Sequence, residues 1–249
     1  MTLKNEDKIL EICLIIGRIM MQNSAEMYRV EDTILRIGRK AKVEIVSYTT
    51  QTGIFIGVEG VGNVRMAQIQ ERRINLDKVT KANQLSREFA NDELTEDEFL
   101  ARLIALEKEK LFFPMWLEIL SAATISGGMM ILFGGILPDV PATFLIGGIA
   151  FIFYLIMLKN LKIKVFAEFM ASLLAGVLVI SAIRLGLVSM MNTVLIGSVM
   201  PFVPGVHITN AVRDLLAGHL LSGISRFFEA IMTACAVGFG IAFAFQIMM

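Results

Sequence analysis

Cysteine, histidine and excess charge of either sign are scarce in this chain, and each scarcity excludes a class of protein. The 249 residues include only two cysteines and two histidines. Cys13 lies in the charge-rich first half and Cys235 in an apolar run of the second half, which argues against a disulfide scaffold. No residues have metal-ligand spacing, so we expect no metal and no cofactor. The formal net charge is zero, which excludes a basic nucleic-acid binder.

Charge is also nearly missing from the second half of the chain. Residues 1–118 hold 17 Lys/Arg and 19 Asp/Glu, whereas residues 119–249 hold six and four. The chain is 55% apolar with a mean hydropathy of +0.68, which excludes a wholly soluble or disordered protein. The sequence therefore predicts an α+β domain over 1–118 and a membrane α-helical bundle over 119–249.

The first half has the periodicities of a small α+β domain. Apolar residues at helical spacing predict a helix over 7–21, and Asn23 with Glu26 predicts a capping box for a second helix that ends near residue 42. Runs rich in β-branched and aromatic residues predict three antiparallel strands over 43–49, 53–59 and 63–69. Two further helices are predicted over 75–91 and 95–111, the second with a capping box at Thr95 and Glu98.

The second half contains five stretches that are long and apolar enough to cross a bilayer. They cover residues 119–137, 142–158, 165–188, 192–210 and 227–249. Lys and Arg lie in alternate connections, at 159–164 and 212–226, and are missing from 138–141 and 186–191. This alternation predicts a cytoplasmic N-terminus and, after five spans, a C-terminus outside.

Two charged residues lie within the third predicted span. Glu168 follows Lys164 by four residues, and it is either an interfacial carboxylate paired with Lys164 or Lys162, or a carboxylate that carries a proton or faces a substrate. Arg184 lies near the other end of the span, too far along the helix to pair with Glu168.

The fourth predicted span is interrupted at Pro204 and Gly205. Proline lacks an N–H and glycine adopts unusual dihedral angles, so the helix is predicted to break there. Beyond the break, His207, Asn210 and Asp214 fall on one helix face. A broken helix with polar residues is typical of the midplane site of a secondary transporter. The alternative is a proline kink with Arg213 and Asp214 already at the cytoplasmic interface.

The densest polar cluster of the first half is Glu26, Arg29 and Glu31. Arg29 follows Glu26 by three residues, so the two can pair on one helix face. The cluster is either a solvated helix surface or a gate at the cytoplasmic mouth of the membrane domain.

Several stretches, in collinear order over nearly the whole chain, resemble the threonine/serine exporter (ThrE) family. Those resembling its N-terminal signature are residues 16–32 (IGRIMMQNSAEMYRVED), 52–56 (TGIFI), 72–79 (RRINLDKV) and 83–87 (NQLSR). Those resembling its second signature are residues 202–218 (FVPGVHITNAVRDLLAG) and 222–226 (SGISR).

The resemblance implies an inner-membrane exporter of small amino acids or related carboxylates, driven by the proton gradient. Because the sequence ends after five spans, it resembles the split, YjjP-like form of the family, whose partner is a separate, small, YjjB-like membrane subunit. The split pair is associated with succinate rather than threonine, and we expect an oligomer.

The resulting hypothesis is an exporter subunit, not an enzyme. Pro204 and Gly205 would present backbone N–H groups to a substrate carboxylate, and Arg213 or Arg184 would balance its charge. Glu168 or Asp214 would couple a proton.

Two other classes remain open at this stage. One is a membrane enzyme with His207 and Asp214 as its acid–base pair. The other is a sensor or scaffold whose cytoplasmic domain binds a partner while the spans only anchor it.

Overall fold

The computed structural model describes residues 2–70, 72–109 and 113–248, which divide into two compact units. The first unit comprises Met1–Leu111 with Ile208–Phe227, and the second comprises Phe112–His207 with Phe228–Met249. The predicted domains, 1–118 and 119–249, stay a prediction.

The first unit contains a three-stranded antiparallel sheet in the order β1-β2-β3, together with helices. Its elements are α1 (Thr2–Gln22), α2 (Met27–Ala41), β1 (Ile45–Thr50), β2 (Gly53–Val58), β3 (Val64–Gln68), α3 (Leu76–Ala90) and α4 (Glu96–Lys108). In the register of the sheet, Tyr48 pairs with Phe55, and Phe55 pairs with Met66. The predicted order of helices and strands is confirmed, with bounds that differ by a few residues.

The core of the first unit forms around α1, because the apolar residues at helical spacing face the sheet and the other helices. Ile12 and Ile16 of α1 are fully buried, as are Ile34 of α2 and Ile54 of β2. A Cβ added at Gly17 would lie 2.3 Å from the side chain of Ile54, so glycine is what allows α1 to lie this close to β2.

One predicted helix cap is confirmed and the other is wrong. The Thr95 hydroxyl accepts a hydrogen bond from the Glu98 N–H, and Glu98 accepts one from the Thr95 N–H, as a capping box requires. Asn23 does not cap α2. Its side-chain amide donates to the Ile19 carbonyl at 2.7 Å and so belongs to the end of α1, while α2 begins at Met27.

The second unit is built from long apolar helices. Its own helices are α5 (Met115–Leu132), α6 (Val140–Leu161), α7 (Lys164–Arg184) and α8 (Met191–Val199), and two further helices, α9 (Gly205–Leu216) and α10 (Leu220–Met248), continue from one unit into the other. Among the described residues, four helices are long and apolar enough to cross a membrane. The number rises to five if the bent pair of α8 and α9 counts as one span. This range includes the five predicted spans.

Small residues allow the helices of the second unit to lie close together. A Cβ added at Gly147 of α6 would lie 2.1 Å from the Ser126 hydroxyl of α5. One added at Gly240 of α10 would lie 2.5 Å from the Phe169 carbonyl of α7. Helix association in lipid depends on such close contact, because lipid is as apolar as the helix surfaces themselves.

Candidate functional site

The predicted helix break in the fourth span is confirmed. Helix α8 ends at Val199 and is followed by a 3-10 turn, Met200–Phe202, before α9 begins at Gly205 with a bend of 62°. Pro204 lies between the two pieces and is buried, and it cannot donate the hydrogen bond that a continuous helix would need there. That Pro204 and Gly205 line a substrate path stays a prediction.

Most of the polar residues that follow the break belong to a cluster in the first unit whose members, except Arg213, are buried. We call it the domain cluster, and it consists of Glu26, Gln51, Asn210, Arg213, Asp214 and Arg226. Asp214 is fully buried and Arg226 is 2% exposed. The sequence predicted a site role for four of these residues, whereas Gln51 and Arg226 were missed.

Arginines compensate both carboxylates of the domain cluster. Glu26 lies 2.5 Å from an Arg213 nitrogen and 3.0 Å from Arg29 Nε, so the predicted pair of Glu26 and Arg29 is confirmed. An Asp214 oxygen lies 3.2 Å from Arg226 Nε. Buried charges are tolerated when they are paired in this way.

Asp214 also explains why α2 needs no cap from Asn23. The first N–H of α2, that of Met27, donates to an Asp214 oxygen at 2.9 Å. A carboxylate at a helix N-terminus satisfies an otherwise unpaired donor and interacts favourably with the helix dipole. The cap is therefore supplied by a residue 187 positions further along the chain.

The chain before α2 is held by the same cluster. The Asn210 amide donates to the Ser24 carbonyl at 3.0 Å, and Arg226 donates to the Ala25 carbonyl at 2.8 Å. Arg226 also donates to the Gln51 side chain at 2.9 Å. The domain cluster thus fixes the segment 208–227 to the turn between α1 and α2.

Glu31, the third residue of the predicted gate, lies outside the domain cluster. It accepts a hydrogen bond from the Thr49 hydroxyl at 2.8 Å, and its oxygen lies 3.8 Å from His219 Nδ1.

A second polar cluster lies in the second unit, and we call it the span cluster. It consists of Lys164, Glu168, His207 and Thr233. The predicted pair of Lys164 and Glu168 is present at 3.7 Å, with the lysine side chain 40% exposed and the glutamate 4% exposed. The Lys164 ammonium also lies 3.3 Å from His207 Nε2. Thr233 of α10 is 1% exposed and lies beside the Glu168 carboxylate.

Hydrogen bonding within the span cluster is incomplete. The Thr233 hydroxyl interacts with the Glu168 carboxylate, but neither the hydroxyl nor one Glu168 oxygen makes a hydrogen bond of ordinary geometry among the described residues. The Ser172 hydroxyl, one turn beyond Glu168 on α7, is buried without a hydrogen-bond partner there. Buried polar groups are nearly always paired, so these atoms require an explanation.

Two further titratable side chains lie within electrostatic range of Glu168. Tyr154 approaches it from α6, and Glu229 from α10, one turn before Thr233. The charged and titratable neighbours of Glu168, when it gains or loses a proton, are therefore Lys164, Tyr154 and Glu229. His207 lies next to Lys164.

Arg184 belongs to neither cluster. It lies at the last residue of α7, sixteen positions after Glu168, and its guanidinium donates to the Met248 carbonyl at the end of α10. Within the ranges that the structure describes, no three His, Cys, Asp or Glu side chains are grouped as a metal site would require.

Long apolar helices, a broken helix and a small α+β unit together define a multi-pass helical membrane protein. The chain belongs to the threonine/serine exporter family: the family model ThrE, described as "Putative threonine/serine exporter", matches residues 11–248. The resemblance found in the sequence is thereby confirmed. No curated protein and no solved structure matches the chain.

Proposed function

We propose that the chain is a subunit of an inner-membrane exporter that moves threonine, serine or a small dicarboxylate such as succinate out of the cell in exchange for protons. The family is one of exporters, and the long apolar helices suit transport. The observation that carries the proposal is Glu168, a buried carboxylate inside a candidate span whose paired cation, Lys164, lies 3.7 Å away and is partly exposed.

Glu168 has the properties that exchange requires. An ionisable residue within a span is costly, so it is by default a candidate for function. One of its oxygens has a cation 3.7 Å away, and the carboxylate otherwise interacts with the neutral hydroxyl of Thr233, so no second cation compensates it among the residues described. A proton and the ammonium group of an amino acid would both bind this carboxylate. Because they exclude each other there, inward movement of a proton would drive outward movement of the substrate.

The rest of the path follows from the broken helix. Irregular backbone at membrane depth is tolerated where it is buried in protein or lines a watery cavity. We place Pro204 and Gly205 beside such a path, with His207 and Lys164 meeting the substrate carboxylate. Asp214 and Arg213 would act indirectly, by holding the segment after the break.

The first unit would form the gate, facing the cytoplasm, with the C-terminus of the chain outside. Glu26, Arg29 and Glu31 lie on or just before α2, and Glu26 binds Arg213 directly. Opening of the gate would break the Glu26–Arg213 ion pair and expose both side chains to water. A second small membrane subunit and further copies of this chain would complete the exporter.

An enzymatic role has less support. His207 contacts Lys164, whereas Asp214 contacts Met27 and Arg226. Each member of the predicted acid–base pair therefore has partners of its own.

The test is efflux from vesicles that contain the chain with its small partner subunit, preloaded with labelled threonine, serine or succinate. We expect an imposed pH gradient to drive efflux and Glu168→Gln to abolish it. The matched control is Glu118→Gln, which removes a half-buried glutamate at the start of α5 and should leave efflux unchanged. Full efflux in the Glu168→Gln variant would reject the proposal. Absence of efflux for all three substrates, together with tight binding of a protein by the first unit, would instead favour a scaffold.

A further inference from the structure

The three-stranded sheet of the first unit has one buried face and one exposed face. Side chains alternate between the two faces along a strand, so Ile54 and Ile56 of β2 lie on the core side, where both are fully buried. The residues between them lie on the other side, which we call the outer face. The register arranges its nine residues in three rows, which are Val46, Gly57 and Val64; Tyr48, Phe55 and Met66; and Thr50, Gly53 and Gln68.

The outer face is apolar although it is exposed. None of its nine residues is charged, and five are large hydrophobic residues. Their exposed fractions are 53% for Val46, 55% for Tyr48, 39% for Phe55, 62% for Val64 and 68% for Met66. Together they expose an area on the order of 600 Å², the upper end for the largest apolar patch of a monomer, and such patches commonly mark a surface that another molecule covers.

The size and shape of the outer face suit a second copy of this chain. A standard interface buries roughly 800 Å² on each partner, most of which the apolar residues would supply. Two such three-stranded sheets, facing each other, would form a sandwich with the sheets about 10 Å apart and their side chains interdigitated. Gly53 and Gly57 flank Phe55 along β2, so there is space on either side of its ring for the ring of a facing copy.

The charges around the outer face select the symmetry of this packing. Beyond the row of Val46, the Glu59 N–H donates to the Glu44 carbonyl at 2.8 Å, and both glutamates are exposed. The row at the opposite end, which contains Thr50 and Gln68, is uncharged. A two-fold axis along the strands would place the acidic ends of two copies over each other, which is unfavourable. An axis across the strands places each acidic end over an uncharged end instead.

We infer that the outer face is a homodimer interface, at which two copies of the chain pack face to face about a two-fold axis that crosses the strands at the row of Phe55. Such an interface is closed and self-complementary. Residues of the central row, such as Phe55 and Met66, then each face their own counterpart. The inference deepens the proposed function, which calls for further copies of this chain, by naming the surface through which they bind.

The first test is the mass of the purified full-length protein in detergent, measured by light scattering over a dilution series. We expect the wild type to be a dimer. Met66→Lys and Met66→Glu each place two like charges together at the axis, so each should raise the dissociation constant at least about 100-fold. An equimolar mixture of the two variants should restore the dimer, which also shows that both are folded. The control is Leu76→Lys, at an exposed position of α3 away from the outer face, and it should remain a dimer.

The second test is cross-linking in native membranes with a short bismaleimide. The variants carry Cys235→Ser, because Cys235 is exposed, whereas the buried Cys13 can stay. Phe55→Cys should yield a cross-linked dimer, and Ala101→Cys, at an exposed position of α4, should yield none. Pairing through the β3 edges would instead keep the two Phe55→Cys positions about 14 Å apart. Cross-linking of Met66→Cys without cross-linking of Phe55→Cys would therefore overturn the inference.

A monomeric wild type, or a dimer that Met66→Lys leaves intact, also overturns it. If lipid or a different protein covered the outer face, Met66→Cys would be protected from maleimide labelling in membranes without any cross-link between copies. That result would overturn the inference as well. None of these measurements records efflux, so the homodimer interface and the role of Glu168 can fail separately.

Discussion

The two charge clusters of this protein differ in how closely a cation compensates each carboxylate. In the domain cluster, Glu26 and Asp214 each have an arginine within 3.2 Å, and Asp214 also accepts a backbone N–H. In the span cluster, the cation nearest to Glu168 is a partly exposed lysine at 3.7 Å. Each cluster contains one carboxylate oxygen, on Asp214 and on Glu168, that lacks an ordinary hydrogen bond among the residues that the structure describes, so the difference lies in the distance and exposure of the nearest cation.

This difference separates a structural role from a binding role. A network of closely paired buried charges holds chain segments in one arrangement, and breaking it leaves an uncompensated charge. A carboxylate whose nearest cation is more distant and partly exposed is more open to protonation or to a ligand. We therefore propose that the domain cluster fixes segment 208–227 and that the span cluster binds the substrate.

The largest effect is expected from breaking the domain cluster. Asp214→Ala leaves Arg226 buried without its carboxylate and removes the cap of α2, so it should lower the free energy of unfolding by about 3–5 kcal/mol. Denaturant unfolding of the purified chain measures this loss. Arg29→Ala, whose side chain is 48% exposed, is the control and should change little. A loss below about 1 kcal/mol for Asp214→Ala would show that the network does not hold the segment.

The same measurement on the span cluster should give the opposite result. Glu168→Gln removes a poorly compensated buried charge, so the free energy of unfolding should stay within about 1 kcal/mol of the wild type or rise. If Glu168→Gln destabilised the protein as strongly as Asp214→Ala, the distinction between the two clusters would fail.

A smaller effect is expected at the edge of the domain cluster. The Arg213 side chain is 59% exposed although it pairs with the nearly buried Glu26. Solvent screening limits such a pair, so Arg213→Ala should cost less than about 1 kcal/mol of unfolding free energy. Its effect on efflux should exceed its effect on stability if the pair belongs to a gate. Unfolding and vesicle efflux of the same preparation test this prediction, and unchanged efflux would contradict the gate.

The smallest effect concerns the capping box of α4, which lies far along the chain from either cluster. Hydrogen bonds from the Thr95 N–H and hydroxyl lower the pKa of Glu98 below its ordinary value of 4.5. A lowered pKa means that the carboxylate stabilises the fold above pH 4.5 and that this stabilisation is lost as the pH falls through the lowered pKa. Melting temperatures of the wild type and Glu98→Gln should therefore differ slightly near neutral pH and converge in acid. A constant difference would contradict the linkage.

The sequence predicted the elements of the fold because they follow from local signals. Stretches rich in β-branched and aromatic residues predicted the strands, and Pro204 with Gly205 predicted the break. The cap of α2 could not be predicted, because Asp214, which supplies it, is nearly two hundred residues away from Met27. Arg226 was missed for a different reason. A positive residue next to a predicted span is interpreted as a sign of membrane topology rather than as a member of a buried cluster.

The span cluster was predicted only in part. Glu168 was visible as a charge inside an apolar run, and Lys164 as its neighbour one turn earlier. Thr233 carries no such signal, because threonine is common in membrane helices and usually bonds to its own backbone. Only the contact between α7 and α10 places it beside Glu168.

The central claim is that one carboxylate, Glu168, holds either a proton or the ammonium group of the substrate. Proton release on addition of serine to the purified, detergent-solubilised protein, recorded with a pH indicator in weak buffer near neutral pH, tests it most directly. The account predicts that the wild type releases protons as serine binds and that Glu168→Gln releases none. Equal proton release by the two proteins, or saturable serine binding by the wild type without any release, would contradict it.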